Sequence, residues 1–132
     1  MILAGDIGGT KTNLALINFK QNKMETVFFK QFSSKNYSTF FDLLDEFLPH
    51  INNITIDVIC LGVAAPIING TATLTNLPWK ITTKQREDKF YTSKVSLLND
   101  LEAMAYGMIY LKSKDFIELN PHAKQQKGTI GV

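Results

Sequence analysis

A glycine-rich turn set between two strand-like runs is the feature that most narrows the fold. Ile2-Leu3-Ala4 is a short apolar run. Gly5-Asp6-Ile7-Gly8-Gly9-Thr10-Lys11-Thr12 follows, and Asn13-Leu14-Ala15-Leu16-Ile17 is a second strand-like run. No helix pattern follows the glycines, so the segment reads as a hairpin. Glycine has no Cβ to hold a ligand off, so such a turn can bring backbone N–H groups against a phosphate. Asp6, at the end of the first strand, is placed to meet a magnesium ion or its water shell. Thr10, Lys11 and Thr12 add hydroxyl donors and a positive charge. The plain alternative is an ordinary tight hairpin with two glycines.

Two better-known phosphate motifs are excluded. The P-loop ends in Gly-Lys-Ser/Thr, and here Thr10 precedes Lys11. The dinucleotide fingerprint Gly-x-Gly-x-x-Gly opens a helix, whereas Gly5, Gly8 and Gly9 have other spacings and lead into a strand.

The rest of the chain reads as alternating elements. Strands are expected over 2–6, 12–19 and 24–32, forming an antiparallel meander. Ser38 reads as an N-cap, and Phe40, Leu44, Phe47, Leu48 and Ile51 follow at helical spacing until Pro49 weakens the helix. Residues 57–64 are a continuous apolar run, typical of a strand covered on both faces. Residues 66–70 are turn-like and 71–75 form a short strand. A polar helix is expected over 82–91, a strand over 94–98, a helix over 101–111 and a last short strand over 116–119. Leu101, Met104, Ala105, Met108 and Ile109 share one face of that last helix. A meander followed by crossover units gives an α/β fold with a mixed five-stranded sheet and helices on its faces. Ligands in such sheets gather at the carboxyl ends of the strands, where both the glycine turn and Asn99-Asp100 fall.

At 132 residues the chain is one domain by length. A net charge of +2, with scattered lysines, argues against nucleic acid and anionic membranes as partners. No apolar run approaches the roughly 20 residues of a membrane span. The lone Cys60 lies in an apolar strand and reads as a core residue. One cysteine supplies neither a disulfide framework nor a zinc set, which fits a reducing cytoplasm.

Two further constellations carry chemistry. Asn99-Asp100 ends a strand and opens a helix, where Asn and Asp are ordinary caps and Glu102 could complete a capping box. The functional reading is a carboxylate near a helix start, where the dipole favours an anion, able to accept a proton from a hydroxyl. The two readings are compatible. In Thr75-Asn76-Leu77-Pro78-Trp79, Asn76 suits sugar hydroxyls and Trp79 supports a pocket wall; the alternative is a turn with a core tryptophan.

Taken in order, Leu3 to Asn13, Leu61-Gly62-Val63-Ala64-Ala65-Pro66, Leu74 to Trp79 and Leu97 to Gly107 resemble the bacterial glucokinases of the hexokinase and actin-like ATPase superfamily. The resemblance implies a ribonuclease H-like (actin-like ATPase) lobe. It implies ATP contacts from Gly5, Asp6, Ile7, Gly8, Gly9 and Thr10, with Asp6 binding Mg2+ through water. It makes Asp100 the general base for the sugar 6-hydroxyl, with Asn99 and Asn76 binding the sugar. Ala65 departs from the family's usual glycine before the proline. Family members have two lobes. The resemblance therefore implies that residues 1–127 are the N-terminal lobe and that 128–132 begin the second. Glucose and ATP are the implied substrates, acted on by the full-length enzyme, with the isolated lobe inactive. Apolar surface left bare by the missing C-terminal lobe favours a homo-oligomer. A kinase for another hexose or an N-acylhexosamine, or a non-catalytic sugar or nucleotide module, are the alternatives.

Overall fold

The computed structural model describes residues 1–21, 23–51, 54–83, 92 and 94–117. Three strands open the fold: β1 (Ile2–Ile7), β2 (Lys11–Lys20) and β3 (Lys23–Ser33). They form the expected antiparallel meander, with Asp6 opposite Asn13 and Asn13 opposite Gln31. Period-2 alternation sends Leu3, Ile7, Leu14 and Leu16 to one face, where all are fully buried. Asp6, Asn13 and Gln31 therefore share the opposite face.

Helix α1 (Phe40–Phe47) covers the apolar face with Phe40, Leu43, Leu44 and Phe47. Its cap is Thr39 rather than Ser38. Thr39 takes the N–H of Asp42 at 3.2 Å, and the Asp42 carboxylate takes the N–H of Thr39 at 2.8 Å. The acidic residue three positions on selects the cap, because only Thr39 gains the reciprocal bond. The α-helix stops at Phe47, and Pro49 falls in a 3₁₀ turn over Leu48–Ile51.

Two parallel strands complete the main sheet: β4 (Val58–Val63) beside β1, and a later strand, Val95–Asn99, beside β4. Between them a small antiparallel sheet is built from β5 (Ile67–Ile68), β6 (Thr71–Thr73) and β7 (Lys80–Thr82). The strand Val95–Asn99 is thus β8, and the main sheet runs β3-β2-β1-β4-β8. Asn69 and Gly70 turn β5 into β6 with φ of 49° and 69°, the left-handed pair that suits Asn-Gly in a tight hairpin. β7 is absent from the sequence reading, as Lys80-Ile81-Thr82 is too short to show a period. Trp79 sits in the core at 1% exposure, its indole N–H donating to the Tyr37 carbonyl at 3.1 Å, so it is not a pocket wall.

Helix α2 (Asp100–Met108) follows β8 directly and lies on the other face of the sheet, with Ala103 against Gly62. Helices therefore cover both faces, as expected. The expected apolar stripe of α2 is not its packed face: Leu101, Met104 and Ile109 are more than half exposed. Phe116 and Ile117 are not in a strand, while residues 118–119 and most of the expected 82–91 helix lie outside the described residues.

Candidate functional site

β1, β4 and β8 run parallel, so their carboxyl ends share one edge of the sheet. That edge gathers the Gly8–Lys11 turn, the Ala64-Ala65 loop and the start of α2. The Ala64 N–H donates to the Ile7 carbonyl at 2.9 Å, which joins the first two. The Asn99 side-chain amide donates to the Ala65 carbonyl at 3.2 Å, which joins the second and third. Ala65 itself is 5% exposed, so its methyl group is accommodated.

Asp6 and Asp100, 94 positions apart in sequence, face one cavity of about 450 Å³. Ala4, Gly5, Cys60 and Gly62 form its floor, and Ala103 and Met104 of α2 form a wall. Small residues on the strands leave the space between sheet and helix open. Burial pushes the Cys60 thiol up, so it contributes a neutral floor rather than a nucleophile.

Asp6 is held by a ladder across three strands. Gln31 donates to Asn13 Oδ1 at 2.8 Å, and Asn13 donates to Asp6 Oδ2 at 3.1 Å. Neither Asn13 nor Gln31 was singled out from the sequence. The available signal was a polar side chain recurring on one face of otherwise apolar strands.

Asn99 is the N-cap of α2. Its Oδ1 accepts from the Leu101 N–H at 3.1 Å, and Asp100 Oδ1 accepts from the same N–H at 3.0 Å. The cap is made without Glu102. Asp100 thus has one oxygen tied to the helix start while its side chain lines the cavity.

Asn76 is exposed and lies against the glycine turn: a Cβ built on Gly9 would meet the Asn76 Cβ at 3.2 Å and its Nδ2 at 3.5 Å. It stands at the hairpin rather than in the cavity between the carboxylates. The glycines differ in what they do. Gly5 faces the core, where a Cβ would lie 2.4 Å from a Leu61 methyl carbon. Gly8 and Gly9 form the turn, with the Gly8 N–H bonded to the Lys11 carbonyl at 3.0 Å. Ile7 is fully buried beneath it, Thr10 is exposed, and Thr12 is fully buried and so not offered to a ligand. The Asp6 carboxylate suits Mg2+ held through water, since that ion keeps several waters and takes few protein ligands beside phosphate oxygens. Among the described residues, no group of three or more His, Cys, Asp or Glu side chains comes together as a metal set.

Comparison with known proteins places the chain in a family. The family model described as glucokinase matches residues 3–132. A glucokinase of Nostoc punctiforme is 31% identical over 133 residues, covering 100% of this chain and 39% of the relative. One of Synechocystis sp. is 31% identical over 140 residues, covering 98% of this chain and 39% of the relative. The chain therefore spans about two-fifths of the length of such relatives. A solved glucokinase from an Antarctic psychrotroph matches with a TM-score of 0.77 and 32% identity, over 86% of this chain and 36% of that one. A putative sugar kinase from Cytophaga hutchinsonii shares the fold at a TM-score of 0.58 and 17% identity, over 86% of this chain and 40% of that one.

Proposed function

Because the chain belongs to the glucokinase family, we propose that it forms the N-terminal lobe of an enzyme that phosphorylates glucose to glucose 6-phosphate with ATP. In this reading residues 1–127 belong to the lobe and 128–132 to the start of the second one; residues 118–132 lie outside the described residues. The isolated chain is inactive, since closing a cleft around substrate excludes water and completes the site. The observation that carries this reading is the single cavity faced by both Asp6 and Asp100 beside the glycine turn.

Phosphoryl transfer needs positioning and charge neutralisation more than covalent catalysis. In this reading the turn residues Gly8, Gly9 and Thr10 offer backbone N–H groups to the ATP phosphates, with Gly5 and Ile7 packing the strand beneath. Asp6 would hold Mg2+ through water, where the bound ion would neutralise charge at the phosphates. Asp100 accepts the proton of the sugar 6-hydroxyl, raising its nucleophilicity as the oxygen attacks. Asn99 and Asn76 hold the sugar's other hydroxyls. The enzyme works in the cytoplasm and calls on neither nucleic acid nor membrane, while the isolated lobe self-associates through apolar surface, such as that of α2, that the second lobe would cover.

Asp100→Asn in the full-length protein tests this. The amide oxygen still accepts the Leu101 N–H, so the helix start survives while the base is lost. We expect kcat to fall by roughly 10²–10⁴ in a coupled glucose 6-phosphate assay, with thermal stability retained. Near-normal kcat would reduce Asp100 to a capping residue. Running the wild type on other hexoses and N-acetylglucosamine in the same assay sets the sugar preference.

A further inference from the structure

Ser34 stands just past β3, is fully buried, and reaches the glycine turn twice. Its hydroxyl donates to the Gly8 carbonyl at 2.8 Å. Its backbone N–H donates to the Thr10 carbonyl at 3.0 Å. Ser34 Oγ also lies 2.9 Å from Thr12 Oγ1. A serine hydroxyl has one proton, already given to Gly8, so Thr12 is the donor in that second bond. The chain Thr12 to Ser34 to the Gly8 carbonyl is thus a directed relay of hydroxyls beneath the turn.

The consequence follows from peptide geometry. The Gly8 carbonyl and the Gly9 N–H belong to one planar trans peptide, in which they point in opposite directions. With the carbonyl drawn inward to buried Ser34, the Gly9 N–H must point outward. A peptide between two glycines otherwise rotates with little steric resistance, because both residues tolerate φ of either sign. The backbone bond to Thr10 holds the far end of the same turn.

We infer that Ser34 is a positioning residue for the hairpin, fixing the Gly8–Gly9 peptide so that the Gly9 N–H faces out as a donor to a phosphate oxygen. This rests on the proposed nucleotide role of the turn. It adds a residue that touches no ligand and acts through the backbone. Removing the hydroxyl frees the peptide to rotate and present a carbonyl, which repels a phosphate.

The test uses the full-length protein and calorimetric binding of ATP with magnesium in the absence of sugar. Ser34→Ala should weaken nucleotide binding about tenfold, the scale of one hydrogen bond to a charged group. Its KM for glucose should stay within about twofold. Leu43→Ala, a core truncation on α1, supplies a destabilised variant with the turn intact, and should bind nucleotide like the wild type. Ser34→Cys keeps a weak donor and should fall between Ser34→Ala and the wild type; it carries the comparison alone if Ser34→Ala does not fold. Unchanged nucleotide affinity in the Ser34 variants overturns the positioning role while leaving the kinase reading intact. Equal losses in Leu43→Ala overturn it too, by making the effect one of general stability. A wild type that binds no ATP overturns both.

Discussion

Gly62→Ala isolates the spacing between the two carboxylates. Gly62 lies in β4, directly beside Asp6 in register, and α2 rests on it through Ala103. An added Cβ would sit 3.1 Å from the Ala103 Cβ. Ordinary carbon–carbon contact is about 3.5–4.0 Å, so the helix must retreat by about half an ångström. Both atoms are backbone-fixed methyl carbons, so neither can rotate away. α2 is largely exposed and can move, which keeps the overpacking cost near the low end, about 1 kcal/mol. The functional cost is larger. Asp100 begins the same helix, and a misplacement of about 1 Å can cost about 10²-fold, so half of that predicts about a tenfold loss in kcat. The assay is the full-length enzyme's kcat, with thermal unfolding alongside. Adding Ala103→Gly should restore most of the kcat by removing the clashing methyl. It should leave stability near that of the single variant, because relief of the overpacking, about 1 kcal/mol, offsets the similar cost of glycine in a helix. Activity then recovers without a gain in stability. Wild-type kcat in Gly62→Ala, or a double variant no more active than the single one, would refute the reasoning.

Two other predictions follow from the described contacts. Asn99→Ala loses both the cap on α2 and the tether to the Ala65 carbonyl, and should cost about 1 kcal/mol; Asn99→Asp keeps the cap and should cost less, so equal losses in urea unfolding would count against the cap. Away from the site, the Tyr37 hydroxyl donates to Glu46 at 2.6 Å, a bond that with burial pushes the phenol from 10.0 up to about 12. The folded state then holds a proton that the unfolded chain releases. This contribution is complete below pH 10 and fades between about pH 10 and 12. Glu46, held below its ordinary value first by Lys30 and then by Tyr37, works in the other direction: its contribution is present above the ordinary carboxylate range and is lost as acid protonates it. Tyr37→Phe should flatten the alkaline fall in melting temperature between pH 10 and 12; an unchanged slope would assign that fall to other groups.

The hairpin was legible because its signals are local: apolar runs of strand length flanking glycines. The same holds for α1, whose register is set by Phe40, Leu44 and Phe47. Its cap falls one residue later than Ser38, because Ser38 and Thr39 are equal candidates until the Asp42 carboxylate returns the bond to Thr39. α2 shows where pattern stops being enough. Its stripe of Leu101, Met104 and Ile109 is apolar, yet the residue against the sheet is Ala103, because only a small side chain fits over Gly62. Gln31 and Asn13 look like incidental polar positions until the pairing of β1, β2 and β3 stacks them beside Asp6.

By itself the sequence determined the five strands of the main sheet, α1, α2 and their order, since periodicity, capping and turn chemistry act over a few neighbouring residues. It also carried Asp6, Asn99, Asp100 and the turn glycines as candidates. Only the tertiary structure decided that Asp6 and Asp100 face one cavity, that Ser34 lies under the turn, and that Gly62 sets the seat of the helix. Those facts depend on strand order and on which face of each strand is covered. Such pairings join residues tens of positions apart, and no local pattern encodes them.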